Sequence, residues 1–437
     1  MPANGAHITP ITTRTTERSL TVWLLQIGEP LPLQAGARKM RTALVADALA
    51  ARGHRVVWWT SAFDHFSKSW MFTADADRTL DNGVLIKALK GIGYRKNISL
   101  RRFLDHRLIS RKFRSVSASM PAPDIIVAST PTHDLACEAA AYASRMNVPV
   151  IIDIRDPWPD IFLDSIPHRL RGPLKLVLFN EFRSIRQTLR RADGIFAVTE
   201  HQLQWGLRYA GRERAERDKV YSLGYHRRPI ADRPAVLDKF KEVVDRTNET
   251  FNVFFVGTIS RSYHNPMILA EAARALAARQ DIHFIIAGSG ELLPEMKRRC
   301  AGLTNITFVG WLNAEEIQLF LDRANVGICP ASKVTDLPTN KAFSYLSAGI
   351  PIISSFHGDL KDTIERLDIG LYYPPNDETS LTRSILRLKE DTALHQRLSR
   401  NALSAFETLF NADTIYADYA RHVETIACAK TGYSGLG

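Results

Sequence analysis

Cysteine is scarce in this chain of 437 residues, and its spacing matches neither a disulfide scaffold nor a zinc site. No CxxC pair occurs, and each cysteine stands in an apolar context. The four are Cys137, Cys300, Cys329 and Cys428. This pattern predicts reduced thiols in a cytoplasmic protein and argues against a disulfide-stabilised secreted fold. No metal is expected either, because no cluster of carboxylates or histidines has ligand spacing.

Long hydrophobic runs and the usual dinucleotide fingerprint are also missing. No stretch reaches the roughly 18 uncharged apolar residues that predict a membrane-spanning helix. Residues 1–19 are polar, lack the apolar core of a signal peptide and are predicted to be disordered. The segment LLQIGEPLPLQAGAR, which includes the end of the first predicted strand, has no GxGxxG. A dinucleotide-dependent oxidoreductase is therefore disfavoured.

Negative charge is scarce in the first half of the chain. Residues 1–230 hold 35 Lys and Arg against 21 Asp and Glu, a net charge of +14, whereas residues 231–437 hold 22 against 25, a net charge of −3. Nucleic acid, an anionic membrane surface, an anionic substrate or plain solvation would each account for this excess. The chain has no recognised nucleic-acid module and an acidic second half, so a nucleic-acid partner is not expected.

One basic segment, RRFLDHRLISRKFR at residues 101–114, concentrates this charge. As a helix it is amphipathic and cationic. The segment therefore either lies on a membrane surface or packs on the first domain with its basic face in solvent. On the first of these interpretations the protein is peripheral on the cytoplasmic face of the inner membrane.

Short apolar segments alternate with helical ones from one end of the chain to the other. This alternation predicts doubly wound α/β structure. The predicted strands are 20–27, 55–61, 124–130, 149–156, 194–200, 251–258, 282–290, 306–311, 326–331 and 350–355.

The length exceeds one ordinary core, which predicts two domains with a ligand cleft between them. The predicted division is a disordered segment 1–19, a first domain 20–225, a linker 226–250, a second domain 251–425 and a tail 426–437. The last helix is a candidate to cross back to the first domain.

Three strand-end loops in the second domain carry groups suited to a diphosphate. The loop after 251–258 has Gly257 and Arg261, and the next has Gly288 and Gly290. In the third, Asn340 and Lys341 stand at the start of a helix, whose free N–H groups and partial positive charge favour an anion. Each loop alone also fits an ordinary turn or helix cap. Because the carboxyl ends of parallel strands share one sheet edge, their coincidence favours a common anion site.

The same residues carry a resemblance to a known family. FVGTISRSYHNPMILAEAARAL, FIIAGSGE, ITFVGWLNAEEI and LPTNKAFSYLSAGIPIISS resemble the donor domain of GT-B glycosyltransferases of family 4. GARKMRTALVADALAARGHRVVWWTS resembles the N-terminal segment of that family. VPVIIDIRDPWPD is similar to a stretch in members that build bacterial surface polysaccharides, such as exopolysaccharide and lipopolysaccharide. The resemblance covers most of residues 20–425 and implies two Rossmann-like domains that face each other across a cleft.

The resemblance implies a retaining transfer from a nucleotide-sugar, with neither a metal nor another cofactor. The family commonly has two donor-site glutamates separated by seven residues, and the matching positions here hold Asp336 and Ser344. Asp336 is expected to orient the sugar, whereas Ser344 replaces a carboxylate that usually holds the ribose. Lys341 and Arg261 are expected to neutralise the leaving diphosphate.

The acceptor is expected on the first domain. The resemblance places Gly36 and Arg38 there, in the N-terminal segment. In DIRDPWPD, Asp156 follows a strand and could orient or deprotonate an acceptor hydroxyl, although a helix-capping loop would look alike. His133 follows another strand end and is a candidate acceptor contact or an ordinary helix-start residue.

The resulting hypothesis is a glycosyltransferase that moves a sugar from a UDP- or GDP-linked donor to a polysaccharide or lipid-linked glycan. Asp336, Asp156 and Lys341 are its expected catalytic residues. The expected donor-binding residues are Gly257, Arg261, Gly288, Gly290, Asn340, Lys341 and Ser344, and the expected acceptor-binding ones are Gly36, Arg38, His133 and Asp156. Two alternatives are a nucleotide-sugar epimerase on the same fold and a non-enzymatic basic binding protein.

Overall fold

Two parallel sheets, each covered by helices, form the body of the computed structural model. The structure describes residues 18–33, 39–97, 99–164, 166–227, 229–260, 264–334 and 339–430. Asp336, Arg261, Gly36 and Arg38 lie outside these ranges. None of the helices in this part of the chain is long and apolar enough to cross a membrane.

The first domain is built on an eight-stranded sheet. Its strands and a small hairpin are β1 (Thr21–Leu25), β2 (Arg55–Ser61), β3 (Phe63–Asp64), β4 (Ser69–Trp70), β5 (Ala76–Thr79), β6 (Leu85–Leu89), β7 (Ile125–Thr130), β8 (Val150–Ile154), β9 (Gly194–Ala197) and β10 (Lys219–Val220). The sheet order is β10-β9-β8-β7-β1-β2-β6-β5, and every pair is parallel except β5 with β6. Strands β3 and β4 pair with each other.

Helices cover both faces of this sheet. They are α1 (Arg41–Ala51), α2 (Leu100–Ser117), α3 (His133–Met146), α4 (Asp160–Asp164), α5 (Arg171–Val177), α6 (Phe179–Arg190) and α7 (Glu200–Ala210). Burial on both faces is why β7 and β8 are apolar at almost every position. The basic helix α2 packs on this domain, because Ile109 and Phe113 are fully buried and the Phe113 ring stands edge-on to Trp59 at 5.0 Å.

The second domain has a six-stranded, fully parallel sheet in the order β13-β12-β11-β14-β15-β16, the Rossmann order. The strands are β11 (Phe251–Val256), β12 (Ile282–Ala287), β13 (Ile306–Gly310), β14 (Val326–Cys329), β15 (Ile352–Ser354) and β16 (Gly370–Tyr372). The helices from the linker onwards are α8 (Arg233–Lys239), α9 (Lys241–Thr247), α10 (Met267–Ala275), α11 (Leu293–Arg299), α12 (Ala314–Leu321), α13 (Asn340–Ser347), α14 (Asp359–Leu367), α15 (Glu378–Glu390), α16 (Thr392–Ala405) and α17 (Ala412–Lys430).

The predicted doubly wound fold is confirmed, and all ten predicted strands are present, β2 with its predicted bounds and the other nine shortened. The sequence missed six strands, because the short strands of the hairpin and of the sheet margins have no long apolar run. They are β3, β4, β5, β6, β10 and β16.

Two predicted segments need correction. The region 226–250 is not a plain linker, because α8 and α9 lie within it and Phe240 and Val244 are buried in the core of the second domain. The proline-rich, charged composition of this region hid that apolar face. Residues 426–430 are not tail but the last turn of α17, where Ile426 is buried. Helix α17 packs against α1 and the first core, so the last described helix lies on the first domain.

Candidate active site

The carboxyl-terminal edges of the two sheets come together at the start of two helices. The backbone N–H of Glu200, in the first turn of α7, donates to Asp359 in the first turn of α14 at 2.8 Å. Helix α7 follows β9 and α14 follows β15, so this bond joins the two domains at the edges that carry the predicted site residues. The donor and acceptor candidates of the sequence therefore follow strands at the two sheet edges that meet here.

Lys341 is the central group on the second-domain side. It is half-buried in the first turn of α13, and its Nζ lies 4.8 Å from the centroid of the Phe255 ring. Nζ also lies 3.4 Å from His264 Nδ1. No carboxylate of the described residues forms an ion pair with it. Burial lowers the pKa of the Lys341 ammonium to about 8, and burial followed by the Lys341 charge lowers the pKa of His264 to about 4. Within the described part of the chain, this site therefore holds a cation without an ion-pair partner beside a neutral imidazole.

The glycines of the strand-end loops make room for close backbone and side-chain approach. A Cβ on Gly257 would lie 3.1 Å from Lys341 Nζ, so this glycine gives the lysine its path. A Cβ on Gly288 would lie 1.8 Å from the Gly257 oxygen, and one on Gly290 would lie 2.3 Å from the Ile259 oxygen.

The amides of two of these glycines are already bonded. Gly257 N–H donates to Ala287 at 3.0 Å and Gly288 N–H donates to Gly310 at 2.7 Å. These two amides therefore join neighbouring strand ends, and donor binding by the glycines stays a prediction.

Helix α13 differs from its prediction at two side chains. Thr339 is the N-cap residue but makes no side-chain cap bond, and Asn340, the first helical residue, is exposed. Ser344 is 4% exposed, and its hydroxyl donates to the Lys341 carbonyl at 2.7 Å. The hydroxyl hydrogen of Ser344 is thus used inside its own helix, and its oxygen can still accept, so a donor contact of Ser344 stays a prediction. Sequence spacing cannot distinguish such an internal bond from a ligand contact.

Asp156 is the central carboxylate on the first-domain side. It follows β8 and is half-buried, and no hydrogen bond to its carboxylate is found in the described ranges. Burial raises the pKa of Asp156 to about 6, against the lowering effect of Arg155 and Arg102. A carboxylate with this pKa can accept a proton near neutral pH, which suits a general base.

His133 is held in place by its neighbours. It is buried at the start of α3, and its Nε2 bonds the Glu181 carboxylate, which also accepts from Arg107 at 2.9 Å. Its Nδ1 is buried without a partner among the described residues. An acceptor contact by His133 therefore remains a prediction that depends on this one nitrogen.

His133 also belongs to the one group in the described ranges whose side chains could together ligate a metal. The ligand atoms of His133, Asp134 and Glu181 lie within 4.8 Å of one another. Arg107 offsets part of the negative charge of the two carboxylates, because it bonds Glu181 and its Nε lies 3.9 Å from Asp134.

A buried charge network lies beneath Asp156. Arg41 donates to both oxygens of Asp153 at 3.0 and 2.8 Å, and Arg155 donates to Asp153 at 3.1 Å. Burial alone would raise the pKa of Asp153, but Arg41 and Arg155 hold it at about 2. Arg155 also pairs with Glu29, which accepts from the Thr42 N–H at 2.9 Å. The N-terminus of α1, where dinucleotide enzymes bind pyrophosphate, is therefore already occupied by a carboxylate of this chain.

We expect Asp153→Asn to destabilise the fold by about 3–5 kcal/mol, because it leaves the buried cations Arg41 and Arg155 facing a neutral amide. Urea unfolding at neutral pH measures this change. The matched control is Asp77→Asn, which breaks an exposed pair with Lys87 and should cost no more than about 1 kcal/mol. Equal losses in the two variants would show that the network adds no special stability.

Sequence reasoning missed a group of residues around Asp156. Arg102 and His106 lie one turn apart on α2, while His65, Tyr94 and Trp158 come from three separate loops. The basic segment 101–114 pointed to this region, but its composition did not show which of its cationic side chains are buried against the first domain. Burial and then Arg102 lower the pKa of His65 to about 4 and that of His106 well below its usual value. Both imidazoles are therefore neutral at physiological pH.

Comparisons with known proteins agree with this geometry. The chain matches the family model "Glycosyl transferases group 1" over residues 250–391 and "Glycosyl transferase 4-like domain" over residues 38–247. These two matches correspond to the second and the first sheet.

Two relatives of similar sequence come from bacteria. The amylovoran biosynthesis glycosyltransferase AmsK of Erwinia amylovora is 27% identical over 37% of this chain and 41% of its own length. The GalNAc-α-(1→4)-GalNAc-α-(1→3)-diNAcBac-PP-undecaprenol α-1,4-N-acetyl-D-galactosaminyltransferase of Campylobacter jejuni is 28% identical over 34% of this chain and 42% of its own length. The match thus spans less than half of either relative.

Two solved structures share the whole architecture. Sucrose-phosphate synthase of Thermosynechococcus elongatus superposes with a TM-score of 0.70 at 18% identity, over 94% of this chain and 100% of that one. HepE of Anabaena, solved in complex with UDP, has a TM-score of 0.64 at 16% identity, over 93% of this chain and 100% of that one. At these identities the likeness establishes the fold alone.

Proposed function

We propose that this chain, which belongs to the glycosyltransferases of the GT-B fold, transfers a hexosyl group from a UDP- or GDP-sugar. The proposed acceptor is a glycan or a lipid-linked glycan, and the proposed transfer retains the configuration at the anomeric carbon. The observation that carries the proposal is Lys341, a cation at a helix start on the carboxyl edge of the second sheet that forms no ion pair with the described residues. A nucleoside diphosphate supplies the charge that this site lacks. The Anabaena neighbour was solved with UDP, and the Campylobacter relative is named for an undecaprenol-linked saccharide.

In the proposed reaction the bond between the anomeric carbon and the diphosphate oxygen breaks, and a bond to an acceptor hydroxyl oxygen forms. Lys341 stabilises the negative charge that grows on the leaving diphosphate. Asp156, on the facing domain, orients the acceptor hydroxyl or takes its proton. Asp336 is proposed to orient the donor sugar, and Arg261 to assist Lys341. No step requires a metal or another cofactor.

Donor binding and turnover together test this function. UDP or GDP at about 100 times its dissociation constant should stabilise the protein by about 2.7 kcal/mol in a thermal-shift assay. Incubation of UDP- and GDP-hexoses with saccharide acceptors, in buffer containing EDTA, should release nucleoside diphosphate only when acceptor is present. Epimerised donor without acceptor would instead identify an epimerase. Loss of turnover in EDTA that magnesium or manganese restores would contradict the metal-free mechanism.

We further propose that the first domain docks on an anionic membrane surface. Helices α2, α5 and α6 present exposed apolar side chains, and the Arg107 bond to Glu181 joins α2 to α6. This docking face consists of Leu100, Leu104, Leu176, Val177 and Phe179. Basic residues flank it in the sequence, within a half-chain of net charge +14. Apolar insertion with a basic rim is the combination that binds anionic lipid.

Vesicle sedimentation should show binding to anionic phospholipid that weakens as salt is raised, because salt screens the attraction. The double variant Leu176→Ser, Val177→Ser removes two side chains that are 79% and 78% exposed, and should weaken binding without a change in melting temperature. The matched control is Val334→Ser, an exposed apolar residue of the second domain. Equal binding to neutral vesicles, or an unaffected double variant, would contradict the proposal.

A further inference from the structure

Arg102 is held between two aromatic rings on the acceptor side of the cleft. Its guanidinium carbon lies 5.5 Å from the centroid of the Tyr94 ring and 5.2 Å from that of the Trp158 ring. Tyr94 follows β6 and Trp158 follows β8, whereas Arg102 stands in the first turn of α2. Contact with two rings fixes the plane of the guanidinium, which is how a protein pre-orients an arginine for a planar or tetrahedral anion.

The hydrogen bonds of this guanidinium are incomplete. Nη1 donates to the Asn97 carbonyl at 2.7 Å, and the side chain has a further hydrogen bond with Tyr94. The Nε atom is buried and has no partner among the described residues. No carboxylate in those ranges lies within ion-pair distance, and the negative charges of Asp156 and Asp105 act on the guanidinium from further away. A buried N–H left without an acceptor costs free energy, which a ligand that accepts from it would recover.

Arg102 has a second cation and two imidazoles as neighbours. Lys68 Nζ lies 5.2 Å from the centroid of the same Tyr94 ring. His106, one turn further along α2, is 2% exposed, and its Nε2 is also buried without a partner in the described part of the chain. His65 Nδ1 bonds the Tyr94 hydroxyl at 2.7 Å. Both imidazoles are neutral, because burial and the Arg102 charge disfavour their protonated forms. A ligand here therefore meets the Arg102 guanidinium, with Lys68 nearby, and one imidazole nitrogen that no described residue bonds.

We infer that Arg102 and His106 form a subsite for an anionic group, a carboxylate or a phosphate, carried by the acceptor near the hydroxyl that Asp156 activates. This inference rests on the proposed glycosyl transfer. The subsite belongs to the acceptor, because its residues come from the first domain, whereas the donor cation Lys341 lies on the second. The anion could come from an acidic or phosphorylated sugar or from the diphosphate of a lipid carrier.

Binding of small anions distinguishes these sources and tests the subsite. The probes are glucuronate and glucose 6-phosphate for the sugar, farnesyl diphosphate for the lipid carrier, glucose as the neutral control and UDP for the donor site, each titrated by calorimetry. We expect the probe of the correct source to bind wild-type protein and to lose at least tenfold in affinity in Arg102→Gln. Arg111→Gln is the matched control, since Arg111 is an exposed cation of the same helix.

The UDP titrations distinguish a failure of this inference from a failure of the proposed function. UDP should bind Arg102→Gln normally and Lys341→Ala weakly, whereas the anionic acceptor probe should show the reverse. Arg102→Lys keeps the charge but loses the forked N–H groups of the guanidinium, so we expect an intermediate affinity. An unchanged melting temperature in this variant would exclude misfolding as the cause. If no anionic probe depends on Arg102 while UDP still depends on Lys341, the subsite is wrong and the function stands. If UDP binding ignores Lys341, the proposed donor site is wrong.

Discussion

Lys341→Ala should slow turnover about a hundredfold and weaken nucleoside diphosphate binding, with no fall in melting temperature. Removing one group that stabilises developing charge typically costs on the order of 3 kcal/mol in the transition state. The lysine does not stabilise the fold, because it forms no ion pair with the described residues and burial disfavours its charge. Steady-state kinetics, UDP titration and thermal unfolding measure the three quantities.

Lys333→Ala is the matched control, because this exposed lysine lies in the same domain before α13. It should leave turnover and donor affinity unchanged. Lys341→Arg restores the charge but must pass Gly257 with a larger head group, so partial activity is expected. Near-normal turnover in Lys341→Ala would show that the lysine is only a solvated helix-start residue.

The pH dependence of donor binding should follow the same ammonium. Its pKa of about 8 in the folded protein lies below the ordinary 10.5. The charged side chain therefore lowers the stability of the fold by its full amount below about pH 8, and this loss of stability disappears as pH rises towards 10.5. The diphosphate needs the charged form. UDP affinity should therefore fall as pH rises above about 8, by up to tenfold per pH unit, in wild type but not in Lys341→Ala.

Asp156→Asn should reduce turnover by at least about a hundredfold, because general-base catalysis contributes about 10²–10⁴ and the amide cannot accept the proton. Donor affinity should not change, since Asp156 lies on the facing domain. The folded-state pKa of about 6 exceeds the ordinary 3.8, so ionised Asp156 opposes folding above about pH 6. The variant should therefore melt no lower than wild type at pH 7.5.

Asp160→Asn is the matched comparison, because this carboxylate lies only four residues further along the chain, at the start of α4. The Asp160 carboxylate accepts from Trp205 at 2.9 Å and from Tyr209 at 2.7 Å, so its loss should lower stability and spare turnover. In wild type, turnover should rise through about pH 6 as Asp156 ionises, and this rise should be absent in Asp156→Asn. A hundredfold loss of turnover in Asp160→Asn, with normal kinetics in Asp156→Asn, would show that Asp160 and not Asp156 has the catalytic role.

The sequence predicted the second-domain site better than the first. Lys341 was identifiable because it stands at the start of a predicted helix, and the residues that predict this helix are close to it along the chain. Arg102 was not, because its importance depends on Tyr94 and Trp158, which come from other loops. Asp156 was proposed from a strand-end position, but the burial that raises its pKa could not be read from DIRDPWPD.

The sequence by itself determined the two-domain α/β architecture and the positions of the strand-end loops. Strands buried on both faces require continuous apolar runs, and helices between them require their own periodicity, so the pattern is local. Only the tertiary structure decided which polar groups are free. Ser344 and the Gly288 amide are bonded within the protein, whereas Lys341 and Arg102 form no ion pair with the described residues. The physical reason is that desolvation and hydrogen bonding depend on every neighbour in space, and most of those neighbours are distant along the chain.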